Sequence, residues 1–329
     1  MTADVDRGWC HTHWAEYYEA VARRTAPDGS AAIVPTRGSL RASGLKLNYF
    51  EWARPGLEGP TVVLLHGGGL SAHTWDGVCT ILSSEYRCIA VDQRGHGDSD
   101  WAADRDYSIS AYESDIRRVL EQVPRPVMLV GMSMGAVNAL SYVTRSPDSV
   151  DALVLVDIGP NLVRSGSRKI SDFLVDSEMF DSVEDFVAKA MRFNSRRDPQ
   201  MLRASAWNTL RVLEDGRLVR KGDPETRRPR DGYRRAEARA AVWDRASAIA
   251  CPTLLVRGAD SDVTDPDDVR HAAAELGWTA VEIPGAGHTV QGDQPAALAS
   301  ALSKFAAATF AGAAGGAGLL ARRPECDAN

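Results

Sequence analysis

The sequence predicts a mostly parallel, doubly wound α/β sheet with a helical segment inserted between two of its strands. Short apolar runs alternate with stretches of helical periodicity, as they do when crossover helices join parallel strands. With 329 residues, the chain is long enough for one such domain and an additional subdomain. The predicted strands are Thr61–Leu65, Tyr86–Val91, Val127–Val130, Ala152–Val156, Thr253–Val256 and Ala280–Ile283.

The core is predicted to comprise residues 37–159 and 251–310. Before the parallel strands, Leu40–Trp52 alternates in polarity around a Ser-Gly turn, which predicts a pair of antiparallel strands. Three kinds of sequence signal predict the helices of the core: a capping box, a proline at the first helical position, and apolar residues spaced along one face. Three of these helices are Ser110–Val123, one that begins at Pro266, and Gln294–Phe310.

Three further segments lie outside this core. Residues 1–36 are predicted to be a peripheral N-terminal extension with one amphipathic helix, Trp14–Arg24. Residues 160–250 lack a strong buried-strand run and contain amphipathic stretches, so we expect a mostly helical cap, with a small hairpin over Leu210–Lys221. Residues 311–329 are low in complexity and are predicted to be a disordered tail.

Composition excludes several classes of function. A net charge of −6 argues against a general nucleic-acid binder. The five cysteines are odd in number and widely scattered, which favours reduced thiols in a cytoplasmic protein. Neither a signal peptide nor an apolar stretch of membrane-spanning length is evident. We therefore expect a cytoplasmic protein that acts on a small molecule and has no nucleic-acid or membrane partner, and the oligomeric state stays open.

The candidate nucleophile is Ser133, in the pattern Gly-x-Ser-x-Gly between a buried strand and a helix. A serine on so sharp a turn is held in a strained backbone, with its hydroxyl exposed above the sheet edge. The glycines on either side are predicted to be necessary because strand and helix approach too closely for a Cβ atom. Such a pattern indicates nucleophilic catalysis by a hydroxyl group.

A glycine-rich loop, His66–Gly69, follows the first parallel strand. Glycines allow backbone N–H groups to face a bound anion, as an oxyanion hole requires. We assign the N–H groups of Gly68 and Met134 as the donor pair, with Gly69 as a third candidate. A phosphate-binding loop is the competing interpretation, but no dinucleotide or phosphate-loop spacing is present, so no cofactor is predicted. Metal binding is not predicted either, because Cys10, His11 and His13 lack further ligands at usable spacing.

The nucleophile requires a base and the base requires an acid. His288 is the candidate base because its glycine-rich loop follows the last strand and should lie at the same sheet edge as Ser133. Two acids follow strands. We favour Asp262, whose neighbour Asp260 is easily confused with it, and Asp157 stays open as the alternative.

These motifs together resemble those of the α/β-hydrolase family over roughly residues 38–310. The resemblance rests on the nucleophile elbow at Ser133, the loop His66–Gly69, and three further motifs at Asp92–Ser99, Arg257–Asp262 and Gly285–His288. It implies the α/β-hydrolase fold, with a helical cap between the sixth and seventh strands. In some members of the family the acid follows the sixth strand, which is the position of Asp157.

The sequence thus predicts a Ser-His-Asp hydrolase that cleaves a carboxylic ester or lactone through an acyl-enzyme. A serine at the elbow disfavours relatives that use aspartate there. Three alternatives stay open: a hydrolase of carbon–carbon bonds in diketone-type substrates, a cofactor-free haloperoxidase or perhydrolase, and a non-enzymatic ligand sensor. The segment Arg211–Arg245 is rich in arginine, and one such side chain could bind a substrate carboxylate, although a solvated helix face with internal ion pairs is the better explanation for any single arginine.

Overall fold

A computed structural model describes residues 11–25, 33–57, 59–176, 179–227 and 239–311 of the chain. The predicted disordered tail lies outside these residues except for Ala311, and so does Cys10. Among the described residues, no helix combines the length and the apolar character needed to cross a bilayer.

An eight-stranded sheet forms the centre of the fold. Its strands are β1 (Thr36–Ala42), β2 (Leu45–Trp52), β3 (Thr61–Leu65), β4 (Arg87–Val91), β5 (Val127–Met132), β6 (Ala152–Val156), β10 (Thr253–Gly258) and β11 (Thr279–Ile283). They lie in the order β1-β2-β4-β3-β5-β6-β10-β11. The strands β1 and β2 form an antiparallel pair, β2 is antiparallel to β4, and the strands from β4 to β11 in this order are parallel. All six predicted parallel strands are confirmed.

Helices cover both faces of the sheet, as a parallel sheet with two apolar faces requires. One core includes Trp52, Trp75 and Leu302, and a second core on the other face includes Leu129, Leu140 and Leu155. The helices are α1 (His11–Thr25), α2 (Asp76–Leu82), α3 (Ile109–Leu120), α4 (Met134–Arg145), α8 (Pro266–Leu276), α9 (Val290–Asp293) and α10 (Pro295–Phe310).

The N-terminal helix α1 is part of the core packing and is not peripheral, contrary to the expectation for residues 1–36. Tyr18 is fully buried, and its hydroxyl and that of Tyr17 both donate to the carboxylate of Asp76 at the start of α2, at 3.2 and 2.7 Å. The amphipathic pattern predicts the helix but does not reveal which surface it contacts.

The segment between β6 and β10 is the predicted cap, and helices make up most of the regular structure among its described residues. Its described elements are α5 (Arg164–Asp176), β7 (Met179–Phe180), α6 (Val183–Phe193), α7 (Pro199–Thr209), β8 (Leu210–Val212) and β9 (Leu218–Arg220). The hairpin β8–β9 confirms the predicted turn, and β7 adds a third antiparallel strand in the order β7-β9-β8. Phe180, Phe186 and Leu202 belong to a separate small core inside the cap.

Candidate active site

Ser133 lies on a strained turn between β5 and α4. Its φ of 51° and ψ of −115° are unusual for a residue with a side chain, and the surrounding structure must hold this conformation. Its N–H donates to the carbonyl of Val156 on the neighbouring strand at 3.0 Å, and its own carbonyl accepts from Val137 at 3.0 Å. The turn is therefore fixed to both the sheet and the helix.

The two glycines of the elbow are required by close backbone approach, as the sequence predicts. A Cβ atom at Gly131 would lie 2.5 Å from the carbonyl oxygen of Gly135, and one at Gly135 would lie 2.5 Å from the carbonyl oxygen of Leu65. Both neighbours are backbone atoms, which have little freedom to move away. Strand, helix and glycine-rich loop thus meet at a distance that only glycine permits.

Replacing Gly135 by alanine should therefore lower the free energy of unfolding by about 1–3 kcal/mol, the usual cost of overpacking. Urea denaturation measures this effect. Gly59→Ala is the matched control, because its Cβ would lie 3.7 Å from its nearest contact, an ordinary van der Waals distance. Equal stability of the two variants would show that the elbow tolerates a side chain.

His288 lies within hydrogen-bond distance of Ser133. The imidazole Nε2 is 3.0 Å from the Ser133 Oγ, and Nδ1 is 2.6 Å from Oδ2 of Asp157. The His288 side chain is 12% exposed and that of Asp157 is fully buried. One side of the imidazole thus contacts the hydroxyl, and its other side contacts a carboxylate that water does not reach.

Asp157, not Asp262, is the acid that contacts His288. Beyond the histidine, the Asp157 carboxylate accepts hydrogen bonds from the N–H of Gly258 at 3.1 Å, the Ser261 hydroxyl at 2.6 Å and the Thr264 hydroxyl at 3.1 Å. The loop after β10 therefore surrounds the carboxylate with donors. These bonds fix the direction in which the carboxylate faces His288.

The preference for Asp262 was wrong because this side chain faces away from the site. It is 52% exposed and pairs with the Lys169 ammonium of α5 at 3.2 Å. Its neighbour Asp260 is also half-exposed and pairs with Arg196. The residue between them, Ser261, is the one that faces inward, and it donates to Asp157.

The glycine-rich loop lies directly against the elbow. A Cβ at Gly67 would be 3.3 Å from the Ser133 Cβ, and one at Gly68 would be 3.9 Å from the Met134 Cβ. Met134 is the first residue of α4, so its N–H has no acceptor within the helix. Gly69 has a φ of 72°, and a side chain there would overlap Leu174 of the cap helix α5. Gly67 and Gly68 therefore lie beside Ser133 and Met134, and Gly69 lies against the cap helix α5.

His66 holds this loop in place and does not compete with His288 as a base. The imidazole Nδ1 donates to the carbonyl of Gly67 at 2.8 Å, and Nε2 accepts from the N–H of Gln93 at 3.0 Å. Burial lowers the pKa of His66 to about 4, so the ring is neutral at pH 7.

The cap also contacts the loop that carries His288. Asn194, at the end of α6, donates through its amide nitrogen to Asp293 at 2.8 Å and to the Thr289 hydroxyl at 3.2 Å. Asp293 in turn accepts from the N–H of Gly287 at 2.9 Å. Sequence reasoning missed Asn194, since no local pattern relates a cap residue to a loop almost a hundred positions later.

Comparison with known proteins decides the family. A family model described as the alpha/beta hydrolase family matches residues 62–301. The chain belongs to the α/β-hydrolase family. This α/β hydrolase is 33% identical to the esterase Rv0045c of Mycobacterium tuberculosis over 259 residues, which covers 74% of this chain and 82% of the esterase. It is also 28% identical over 279 residues to a 3-hydroxybutyrate-oligomer hydrolase of Cupriavidus necator, covering 80% of this chain and 94% of that protein.

Solved structures agree with this assignment. The crystal structure of the esterase Rv0045c matches this α/β hydrolase with a TM-score of 0.68 and 28% identity, covering 88% of this chain and 96% of that structure. The family model, the related sequences and this solved structure thus agree on the α/β-hydrolase fold and on a hydrolase as the class of enzyme.

Proposed function

We propose that this α/β hydrolase cleaves carboxylic esters, lactones included, through an acyl-enzyme formed on Ser133. The observation that carries the proposal is the continuous hydrogen-bonded chain from the Ser133 hydroxyl through His288 to the buried Asp157. Nucleophile, base and orienting acid in this arrangement define the triad of serine hydrolases. The names of two relatives, an esterase and an oligomer hydrolase, support the same class of reaction.

The proposed reaction begins when His288 Nε2 accepts the hydroxyl proton of Ser133 as Oγ attacks the ester carbonyl carbon. Asp157 holds Nδ1–H in place and stabilises the imidazolium. The N–H groups of Gly68 and Met134, with Gly69 as a third donor, stabilise the negative charge on the carbonyl oxygen. His288 then gives the proton to the departing alkoxide, and a water molecule deprotonated by the same imidazole hydrolyses the acyl-enzyme.

A substrate panel with product analysis tests this function. Short-chain methyl esters and γ- or δ-lactones should release acid, measurable by titration at constant pH. Vinylogous 1,5-diketones should not be cleaved at a carbon–carbon bond, and peroxide with bromide should give no halogenation. Carbon–carbon cleavage or halogenation without ester hydrolysis would overturn the proposal in favour of the other two chemistries of this fold.

A further inference from the structure

The N-terminal helix α1 contacts the core and the cap at the same time. It lies outside residues 62–301, which match the family model, and it packs against both α2 of the core and α7 of the cap. The last residue of α1, Thr25, lies so close to α2 that a Cβ at Gly77 would be 3.2 Å from the Thr25 Cγ2. One helix therefore bridges the two parts of the molecule.

The core end of this bridge is the carboxylate of Asp76, at the start of α2. The residue is 2% exposed and accepts from the hydroxyls of Tyr17 at 2.7 Å and Tyr18 at 3.2 Å. Burial and the neighbouring carboxylate raise the pKa of both tyrosines well above the ordinary value, so both hydroxyls stay protonated and remain donors at neutral pH. Two hydrogen bonds to a buried carboxylate thus fix α1 to the core.

The cap end of the bridge consists of Tyr17 and Arg24. The Arg24 guanidinium pairs at 2.5 Å with Asp198, whose side chain is 17% exposed and caps the first turn of α7. Asn208, which is buried near the other end of α7, faces the Tyr17 hydroxyl and opposes the rise in its pKa. Both ends of α7 are therefore in contact with α1.

Arg197 connects α1 with the loop that carries His288. Its guanidinium rests on the backbone of α9, since a Cβ at Gly292 would lie 2.9 Å from the Arg197 Nη1. Burial lowers the pKa of Arg197, and the nearby Asp293 and Tyr17 oppose this shift. The guanidinium thus lies close to a residue of α1 and to a residue of the His288 loop.

Asp293 is also the residue that fixes the backbone beside the proposed base. One of its carboxylate oxygens accepts from the N–H of Gly287 at 2.9 Å, and the other accepts from the Asn194 amide at 2.8 Å. Asn194 and Arg197 belong to the same short piece of the cap, directly before α7. Movement of this piece would therefore displace Asp293, and with it the loop of His288.

We propose that α1 is a strap that holds the cap segment of residues 194–209 against the core, and that Tyr17 and Arg24 are thereby positioning residues for His288. Both residues act through this cap segment and not on the substrate. The inference rests on the proposed function where its effect is measured as ester hydrolysis, and it stands without that function where the effect is measured on the cap itself.

Hydrogen exchange of the full-length protein, measured by mass spectrometry, tests the strap directly. Tyr17→Phe should speed the exchange of backbone N–H groups in residues 194–209 and 287–293 by about 2- to 10-fold, the effect of one lost hydrogen bond on local opening. Adding Arg24→Gln should speed it further by about two- to fivefold, because the ion pair with Asp198 is lost as well.

The neighbouring residues of α1 provide matched controls. Tyr18→Phe also removes a hydroxyl from Asp76, but the Tyr18 hydroxyl contacts Asp76 and His73, which both belong to the core. Arg23→Gln also removes a guanidinium, but Arg23 pairs with Glu19 of α1 itself. The control variant with both changes should therefore leave exchange in residues 194–209 within twofold of the wild-type rate.

Steady-state kinetics with one methyl ester separate positioning from overall stability. In Tyr17→Phe with Arg24→Gln, kcat should fall by about 3- to 10-fold because His288 is less often aligned with Ser133, and the control with Tyr18→Phe and Arg23→Gln should stay within twofold. Tyr17→Phe with Arg24→Lys should recover part of the loss, because lysine keeps the positive charge opposite Asp198.

Equal exchange of residues 194–209 in the strap variant and the control variant would overturn the inference, whether or not the protein hydrolyses esters. Faster exchange in the strap variant with wild-type kcat would also overturn it, because α1 would then have no effect on His288. Faster exchange in a protein whose wild-type form hydrolyses no ester would support the strap and contradict the proposed function.

Discussion

Replacing Ser133 by alanine is expected to abolish ester hydrolysis, lowering kcat by about 10⁶-fold, the size of loss found when other triad enzymes lose their serine. The variant removes only the Oγ that lies 3.0 Å from His288, so no acyl-enzyme can form. Its fold should persist, because the elbow is held by backbone hydrogen bonds and close packing that alanine retains. Initial rates with a methyl ester measure the loss.

Ser167→Ala provides the matched control for this loss. The half-buried Ser167, on the cap helix α5, donates its hydroxyl to the carbonyl of Val163 one turn earlier, so the change should leave kcat within about twofold. Identical circular dichroism spectra for both variants would exclude unfolding. Hydrolysis by Ser133→Ala within tenfold of the wild-type rate would mean that the reaction does not pass through Ser133.

Replacing Asp157 by asparagine should lower kcat by about 10⁴-fold, whereas Asp262→Asn should change it by less than threefold. Asparagine is isosteric but cannot stabilise the imidazolium, and its amide favours the wrong tautomer of His288. Asp262 contributes only an exposed ion pair with Lys169, and such pairs have little energetic effect. The pair of variants therefore distinguishes the two acids that the sequence offers.

Both aspartate variants are measured with one neutral ester, so that charge in the substrate does not influence the comparison. Asp157→Asn should also lower the stability of the protein, since Asp157 accepts three further hydrogen bonds. Urea denaturation shows whether the variant is folded under assay conditions. A larger loss of kcat in Asp262→Asn than in folded Asp157→Asn would assign the acid to the loop after β10.

The centre of the sheet was predictable from sequence because its parallel strands are buried on both faces, whereas the edge strand β11 is mostly exposed. Strands of this kind appear as continuous apolar runs, and β3, β5 and β6 have every residue buried. The nucleophile and the base were predictable for a related reason. Residues that directly follow parallel strands share one edge of the sheet, so Ser133 and His288 had to lie close together.

The acid was harder to predict because two loops follow neighbouring strands at the same edge. Asp157 comes immediately after β6, and Asp262 lies four residues beyond β10. The choice depends on which way the second loop folds, and Ser261 and Thr264 decide it by donating to Asp157. A carboxylate directly at a strand end, opposite a loop rich in hydroxyl groups, was the available signal.

The cap and the N-terminal helix were predicted only in outline. Short strands such as β7, with two residues, have too little periodicity to be recognised. The position of α1 depends on Tyr17 and Tyr18 meeting Asp76, a contact between residues about 60 positions apart. Tertiary contacts of this range leave no local pattern in the sequence.

Reaction with a fluorophosphonate tests the central claim most directly, because the reagent labels only a serine activated by a neighbouring base. Mass spectrometry of the digested protein should locate a single adduct on Ser133, and His288→Gln should abolish labelling without unfolding the protein. An unlabelled wild-type protein, or an adduct on a different residue, would contradict the proposed triad.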